Sequence, residues 1–363
     1  MDLIEECYTR GWTDGLPVVP PTEERVDRML GERAHDRDVV VAQLAPSQGA
    51  ATLERVAANA VMAGCEPHHL PVVTAAVRAV ADPRFKLDRV MTTASSQAPM
   101  LLVTGPLAQG LGFDGGAEAL GSSARANATV GRALQLVLRN VAGLRDGGLP
   151  HSTLGHPGHR GFCITENHEI SPFDPYHVGR AARTSSGEVR DLTAQDSAVT
   201  VYPAESPLCI VDMGRTDPDA VLANLVASVQ VPGVYNWFFR EDLWLLLSPQ
   251  HALLFAEAGW TKDVLIERLH AQLRLPADRL RDRGLYGYID GLIPPVWLDG
   301  PERDAVPIVD DIDRIHVAVC GGAFGGYTAV VFGEGESVTV PFAQDPLEGA
   351  MASPTIGAEG SGA

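Results

Sequence analysis

Short apolar runs alternate with capped, helix-periodic segments along most of this chain, and that alternation restricts it to architectures of sheet plus helix. In the C-terminal half the order is plain. Cys209–Met213 reads as a strand and Pro218–Val229 as a helix. Tyr235–Phe239 and Leu243–Leu247 read as strands, Pro249–Ala258 and Lys262–Leu273 as helices, and Ile315–Val319 and Tyr327–Phe332 as strands. Thr261 is placed to cap the second of these helices. The N-terminal half repeats the pattern. A helix after Thr22 stops at Gly31, Asp38–Leu44 is a strand candidate, and Ala51–Ala63 is a helix closed by Gly64. Pro71 suits the first turn of a helix ending near Ala81. Val90–Thr93 and Met100–Thr104 are short strand candidates, and a long helix begins near Arg125 and ends at Gly143. The expected fold is α/β or α+β, a mixed sheet with helices packed on it, arranged as two lobes of similar size.

The polar stretch Arg180–Asp196 is the best linker signal, so a boundary is expected near residue 183. It gives an N-terminal lobe over 1–182, a C-terminal lobe over 183–342, and a Gly/Ala/Ser-rich tail over 343–363.

The 363 residues carry 28 basic and 46 acidic side chains, a formal charge of −18. Phosphate-rich partners and anionic membranes are disfavoured by that charge, so neither nucleic acid nor membrane is expected as a partner. No run of 18 apolar residues occurs, and the start MDLIEECYTRGW has no basic segment leading into an apolar one. The five cysteines are odd in number, scattered and without a CxxC pair, as in a reducing cytoplasm.

The segment from His151 to His177 is the densest in chemistry. It holds five of the eleven histidines (His151, His156, His159, His168, His177) together with Cys163, Glu166, Glu169 and Asp174. Imidazole, thiolate and carboxylate are the groups of acid–base work and of transition-metal binding. One expectation is therefore a pocket served by Glu166, Glu169 and His177. The alternative is a transition-metal centre built from Cys163, Glu166, Glu169 and His177. The spacing of His151, His156 and His159 matches no helical ligand pattern, and Pro157-Gly158 prevents one.

Cys65 stands just before a helix start, where a thiol pKa can fall, and His68 or His69 could help ionise it. Arg125 and Asn127 open the long helix beside a glycine-rich entry and could hold a carboxylate or phosphate. Arg132 and Arg139 read as solvated helix surface. GGAFGG (321–326) precedes a strand rather than a helix, so a tight hairpin is expected and a dinucleotide site is not. With no GxxxxGK[ST] and no GxSxG, neither a nucleotide cofactor nor an α/β-hydrolase site is indicated.

The segments GWTDGLPVVPPTEERV, ANAVMAGCEPHHLPVV, RANATVGRALQLVLRNV, FCITENHEISPFDPYHV, SPQHALLFAEAGWTKDV and VCGGAFGGYTAVVFGEGESVTVPF together resemble the bacterial family related to UGSC-motif, selenoprotein-associated proteins. They span Gly11 to Phe342. The resemblance implies an enzyme or enzyme subunit connected with thiol or selenol redox. This chain has no UGSC or CGSC string, its nearest being Cys320-Gly321-Gly322. A redox centre would then lie on a partner protein. By position in the matching segments, the resemblance implies Asp14, Cys65, Arg125, Asn127, Glu166, Asn167, Glu169, His177 and His251 as pocket residues.

The functional expectation is an enzyme that breaks or forms a bond in a small carboxylated or polar metabolite. Arg125 and Asn127 hold the anion, with Asp14, Asn167 and His251 as further binding residues. Glu166, Glu169 or His177 moves the proton, and Cys65 acts as nucleophile or polarising neighbour. The alternatives are the metal-dependent enzyme and a subunit that presents substrate to a thiol or selenol partner. A homodimer is the default assembly for an enzyme of this kind.

Overall fold

The computed structural model describes residues 2–143, 152–183, 189–234, 236–281, 283 and 299–343. The fold is mixed α/β, built around two four-stranded sheets. The first has the order Val338–Phe342, Ser197–Ala204, Ala98–Thr104, Cys163–Thr165. Its last two strands are parallel, with Leu101 opposite Cys163, and the other neighbours are antiparallel. The second has the order Ile315–Val319, Leu243–Leu247, Tyr327–Val331, Leu208–Val211. Here Ile315–Val319 runs parallel to Leu243–Leu247, and the remaining pairs are antiparallel.

Strand periodicity explains how the layers stack, because successive side chains point to opposite faces. In the first sheet Leu101, Val103, Val199 and Val201 pack against the helices Leu53–Ala63, Leu70–Ala81 and Arg125–Val141. Met100, Leu102 and Tyr202 point the other way. They join Trp244, Leu246, Ala318 and Val331 of the second sheet in one buried cluster. The second sheet turns Leu243, Leu245, Leu247 and Val317 outward, onto the helices Pro218–Val229, Pro249–Glu257 and Lys262–Gln272. The result is four layers: helix, sheet, sheet, helix. Strands buried on both faces explain why these runs are almost continuously apolar.

Thr261 caps its helix as expected, accepting from the backbone N–H of Val264, and Thr52 and Ser248 do the same for Arg55 and His251. Thr22 precedes the helix Glu23–Leu30 without a side-chain cap bond among the described residues. Gly64 closes the Leu53–Ala63 helix in the left-handed region at φ 92°. No helix among the described residues is long and apolar enough to cross a membrane.

Four expectations are corrected. Val90–Thr93 is not a strand but the end of the helix Leu87–Thr92, because Leu87, Val90 and Met91 lie three and four residues apart and bury one face. Asn236–Phe239 is a short helical turn, and Tyr235 lies outside the described residues. The stretch after Arg180 is not a free linker. Ala181–Arg183 pairs antiparallel with Val189–Asp191, and Ala182 packs on Leu192 and Ala198. Sheet membership also ignores a division at 183, since Ser197–Ala204 and Val338–Phe342 flank Ala98–Thr104 in the first sheet. The tail lies outside the described residues from position 344 onward.

GGAFGG is not a tight hairpin either. The strands on its two sides are separated by Leu243–Leu247, so the loop arches over the end of that strand. Gly326 is required there. A Cβ would meet the Asp212 carbonyl oxygen at 2.3 Å and His251 Nε2 at 2.9 Å.

Candidate functional site

The parallel strands Ala98–Thr104 and Cys163–Thr165 end side by side, and their C-terminal ends release the segments 105–117 and 166–170. Such ends are where open α/β sheets place ligand sites. A cavity of about 520 Å³ lies between these segments, closed on a third side by Gly322 and Ala323 of the GGAFGG arch. That volume suits a small metabolite. Gly115 lets the walls approach, since a Cβ there would sit 2.6 Å from the Thr165 carbonyl oxygen. Asn167 fastens the two sheets at this point. Its backbone N–H donates to Val319 O at 2.8 Å, and its Nδ2 donates to Gly321 O at 3.0 Å.

Glu166 is wholly buried in the cavity wall, its side chain 0% exposed. Oε2 accepts from the backbone N–H of Tyr176 at 2.7 Å. Oε1 lies 3.6 Å from Lys262 Nζ and has no hydrogen-bond partner. His168, part-exposed beside it, accepts from the backbone N–H of Gly105 through Nε2 at 3.1 Å. The proton of its neutral ring is then on Nδ1, which lies 4.0 Å from Glu166 Oε2. Burial holds the His168 imidazole below the ordinary histidine range, more than Glu166 raises it. Burial also lowers the Lys262 ammonium, against the opposing pull of Glu166. Glu169 is exposed at the rim, accepting from Gln109 Nε2 at 2.6 Å.

Several expected site residues are committed elsewhere. Asn127 is a buried strut. It accepts from Asp114 N at 2.9 Å and donates through Nδ2 to Asp114 O at 3.1 Å and Thr165 Oγ1 at 3.1 Å. Arg125 binds Glu66 Oε1 at 2.6 Å and Gly64 O at 3.0 Å and does not line the cavity. Asp14 is held bidentately by Arg132 at 2.8 and 2.9 Å, so the arginine read as solvated surface is the one that clamps a carboxylate. His251 bridges Thr328 Oγ1 at 2.8 Å and Asp212 O at 3.2 Å inside the second sheet. His177 is fully buried, with Nε2 bonded to Thr193 O at 3.1 Å and Nδ1 without a partner.

Cys65 corrects the nucleophile expectation. Burial pushes its thiol up to about 12, beyond the lowering from Thr129 and Arg125. Burial likewise raises Cys163. That residue faces the helix layer rather than the cavity, as its place beside Gly131 of the long helix shows. Cys163, Glu166, Glu169 and His177 do not bring their ligand atoms together. Among the described residues the one set with metal-like spacing is Glu66, His68 and His69. It does not suit a cation, because both ring nitrogens of His69 are engaged. Nδ1 accepts from Glu66 N at 3.1 Å, and Nε2 meets Leu111 O at 3.1 Å. His151 lies outside the described residues.

Sequence reasoning missed a buried chain of polar groups behind Glu166. Tyr176, whose backbone holds Glu166, places its hydroxyl 3.2 Å from His316 Nδ1, and His316 Nε2 lies 2.8 Å from Asp242 Oδ2. Burial keeps the His316 ring low, so it donates as a neutral imidazole to the Asp242 carboxylate. The available signal was a histidine at an inward position of the apolar run IHVAV.

No protein-family model matches the chain, and no curated protein matches it.

Proposed function

We propose that this protein is an enzyme for a small polar or carboxylated molecule, which enters the cavity beside Glu166 and exchanges a proton there. The observation that carries this is the Glu166 carboxylate. Its side chain is wholly buried in a cavity wall, and among the described residues Oε1 is answered by nothing closer than the Lys262 ammonium at 3.6 Å. A buried carboxylate held by one backbone N–H and one loose ion pair is a costly arrangement, and functional sites are where such costs persist. A ligand oxygen could accept from Nδ1 of the part-exposed His168, with the Glu166 carboxylate 4.0 Å behind that nitrogen. His168 serves as the neutral donor and Glu166 as the group that takes the proton. Cytoplasmic location belongs to the same reading and is supported by five free thiols.

The test is to incubate the purified chain with a mixture of small metabolites and follow each by mass spectrometry. Wild type is expected to consume one or more of them. Glu166→Gln should be slower by about a hundredfold or more in the folded variant, with a lower melting temperature because Lys262 loses its counter-charge. Equal consumption by the folded variant would refute the assignment, as would a wild type that consumes nothing.

A second reading has its own observation. Cys209 is an exposed thiol in a cavity of about 570 Å³ that also includes Phe324, which is 97% exposed. A thiol beside an uncovered aromatic ring suits docking of a thiol or selenol protein, the role implied by the resemblance to the UGSC-motif family. Co-purification of such a partner, lost in Phe324→Ser, is the expected result. A chain that turns over substrate alone would remove this reading.

A further inference from the structure

A second cavity, of about 800 Å³, lies on the far side of Pro175 and Tyr176 from the first and is lined by Arg180 and Lys262. The two cations differ in how they are answered. Lys262 donates to Asp174 O at 2.6 Å and faces Glu166 at 3.6 Å. Arg180 is half-buried and lies over the Tyr176 ring at 3.7 Å. Its Nε donates to Tyr176 O at 3.0 Å, and its Nη2 meets the uncharged His316 Nδ1 at 3.3 Å. Among the described residues no carboxylate pairs with this guanidinium, and Nη1 has no protein partner. In a chain with 46 acidic residues against 28 basic ones, a half-buried arginine facing a cavity without a counter-ion is conspicuous. Asp174 and Asp263 also line the cavity, but both are exposed.

The remaining wall is mixed: Tyr176, Thr261 and the two exposed aspartates are polar, and beside Arg180 lies an apolar patch. Phe173, Trp260, Ile266 and Val317 contribute to it, and none of them offers an acceptor for a second charged group. A guanidinium held in place with Nη1 left over, next to an aromatic and aliphatic patch, selects for a small anion with an apolar body. We propose that this cavity binds a small carboxylate bearing an aryl or branched-alkyl group. The carboxylate sits on Arg180, within the field of Lys262, and the apolar group lies against Phe173, Trp260 and Ile266. Stacking on Tyr176 holds the guanidinium plane in place, so little of its freedom is lost on binding.

Benzoate is the probe, with the full chain labelled at tryptophan with 15N so that the indole N–H of Trp260 reports on this cavity by NMR. Saturable movement of that signal is expected with benzoate. Benzyl alcohol, which has the same body without the charge, and acetate, which has the charge without the body, should each bind about tenfold more weakly. Arg180→Gln should weaken benzoate by about tenfold or more, and Arg180→Lys should restore only part of it. The proposal fails if benzoate leaves Trp260 unmoved, if benzyl alcohol binds equally well, or if folded Arg180→Gln keeps wild-type affinity. Inorganic phosphate displacing benzoate at lower concentration than acetate does would overturn the carboxylate assignment. Should Arg180→Gln not fold, the ligand series on wild type still decides. The experiment reads binding rather than turnover, so its failure would leave the role of Glu166 standing.

Discussion

Asp14 and Arg132 make the most instructive single contact. The carboxylate is 8% exposed and the guanidinium 18% exposed, and two hydrogen bonds join them. Burial alone would raise the Asp14 carboxyl, but the bonds and charge of Arg132 outweigh it and leave the group below its ordinary value of 3.8. A carboxyl that titrates lower in the folded chain stabilises the fold fully above the unfolded value and loses that contribution as pH falls through the folded one. Asp14→Asn leaves Arg132 with the Pro17 carbonyl but without a counter-charge and should cost about 1–3 kcal/mol at pH 7 in urea unfolding. The gap between wild type and variant should narrow as the pH is lowered below about 4. A gap that stays constant down to pH 2.5 would show that the pair contributes nothing through charge. The same contact shows what a sequence hides at this scale. Residue type marked Arg125 and Asn127 as polar groups worth watching, and the family resemblance added Asp14. Neither said that Arg132, Glu66 and Asp114 already answer them, because those partners lie 118, 59 and 13 residues away.

Elements were far more legible than contacts. Helices such as Pro218–Val229 and Leu53–Ala63 and strands such as Leu243–Leu247 follow from apolar spacing, with proline at the first turn of the former helix and glycine closing the latter. These are local signals, complete within a dozen residues. The stretch Glu166–Glu169 drew notice for an equally local reason, its density of ionisable groups, and Glu166 lines a cavity. GGAFGG was misread because hairpin and crossover loops look alike until one knows which strand lies between their ends. That strand, Leu243–Leu247, is supplied from about 70 residues earlier in the chain. The arch then has to pass close to the turn at Asp212 and the buried His251, whose backbone oxygen and ring nitrogen crowd Gly326. Gly326→Ala should therefore cost about 1–3 kcal/mol, read as a lowered urea midpoint with an unchanged slope. An unaltered midpoint would mean that the arch yields freely and that its position is not fixed by this contact.

At the scale of the whole molecule, the two sheets are joined by connection as well as by packing. The chain leaves the first sheet after Cys163–Thr165, returns to it with Ser197–Ala204, builds the second, and ends by returning again as Val338–Phe342. Of the first sheet, residues 1–182 alone would hold only Ala98–Thr104 and Cys163–Thr165. Met100, Leu102 and Ile164 would be bared on one side, with no antiparallel neighbour for Ala98–Thr104. Residues 183–363 would keep the second sheet but expose Trp244, Leu246 and Val331, which the first sheet covers. Each fragment thus loses one wall of the inter-sheet core, and an uncovered face of that size favours aggregation over a folded domain. Expressed separately, neither fragment should give dispersed amide NMR signals or a cooperative melt. The intact chain should unfold in one transition that coincides in far-UV and near-UV circular dichroism. A folded 1–182 fragment with its own melting transition would show that the crossing strands are accessories, and that the cavity beside Glu166 can be built without the arch from the second sheet.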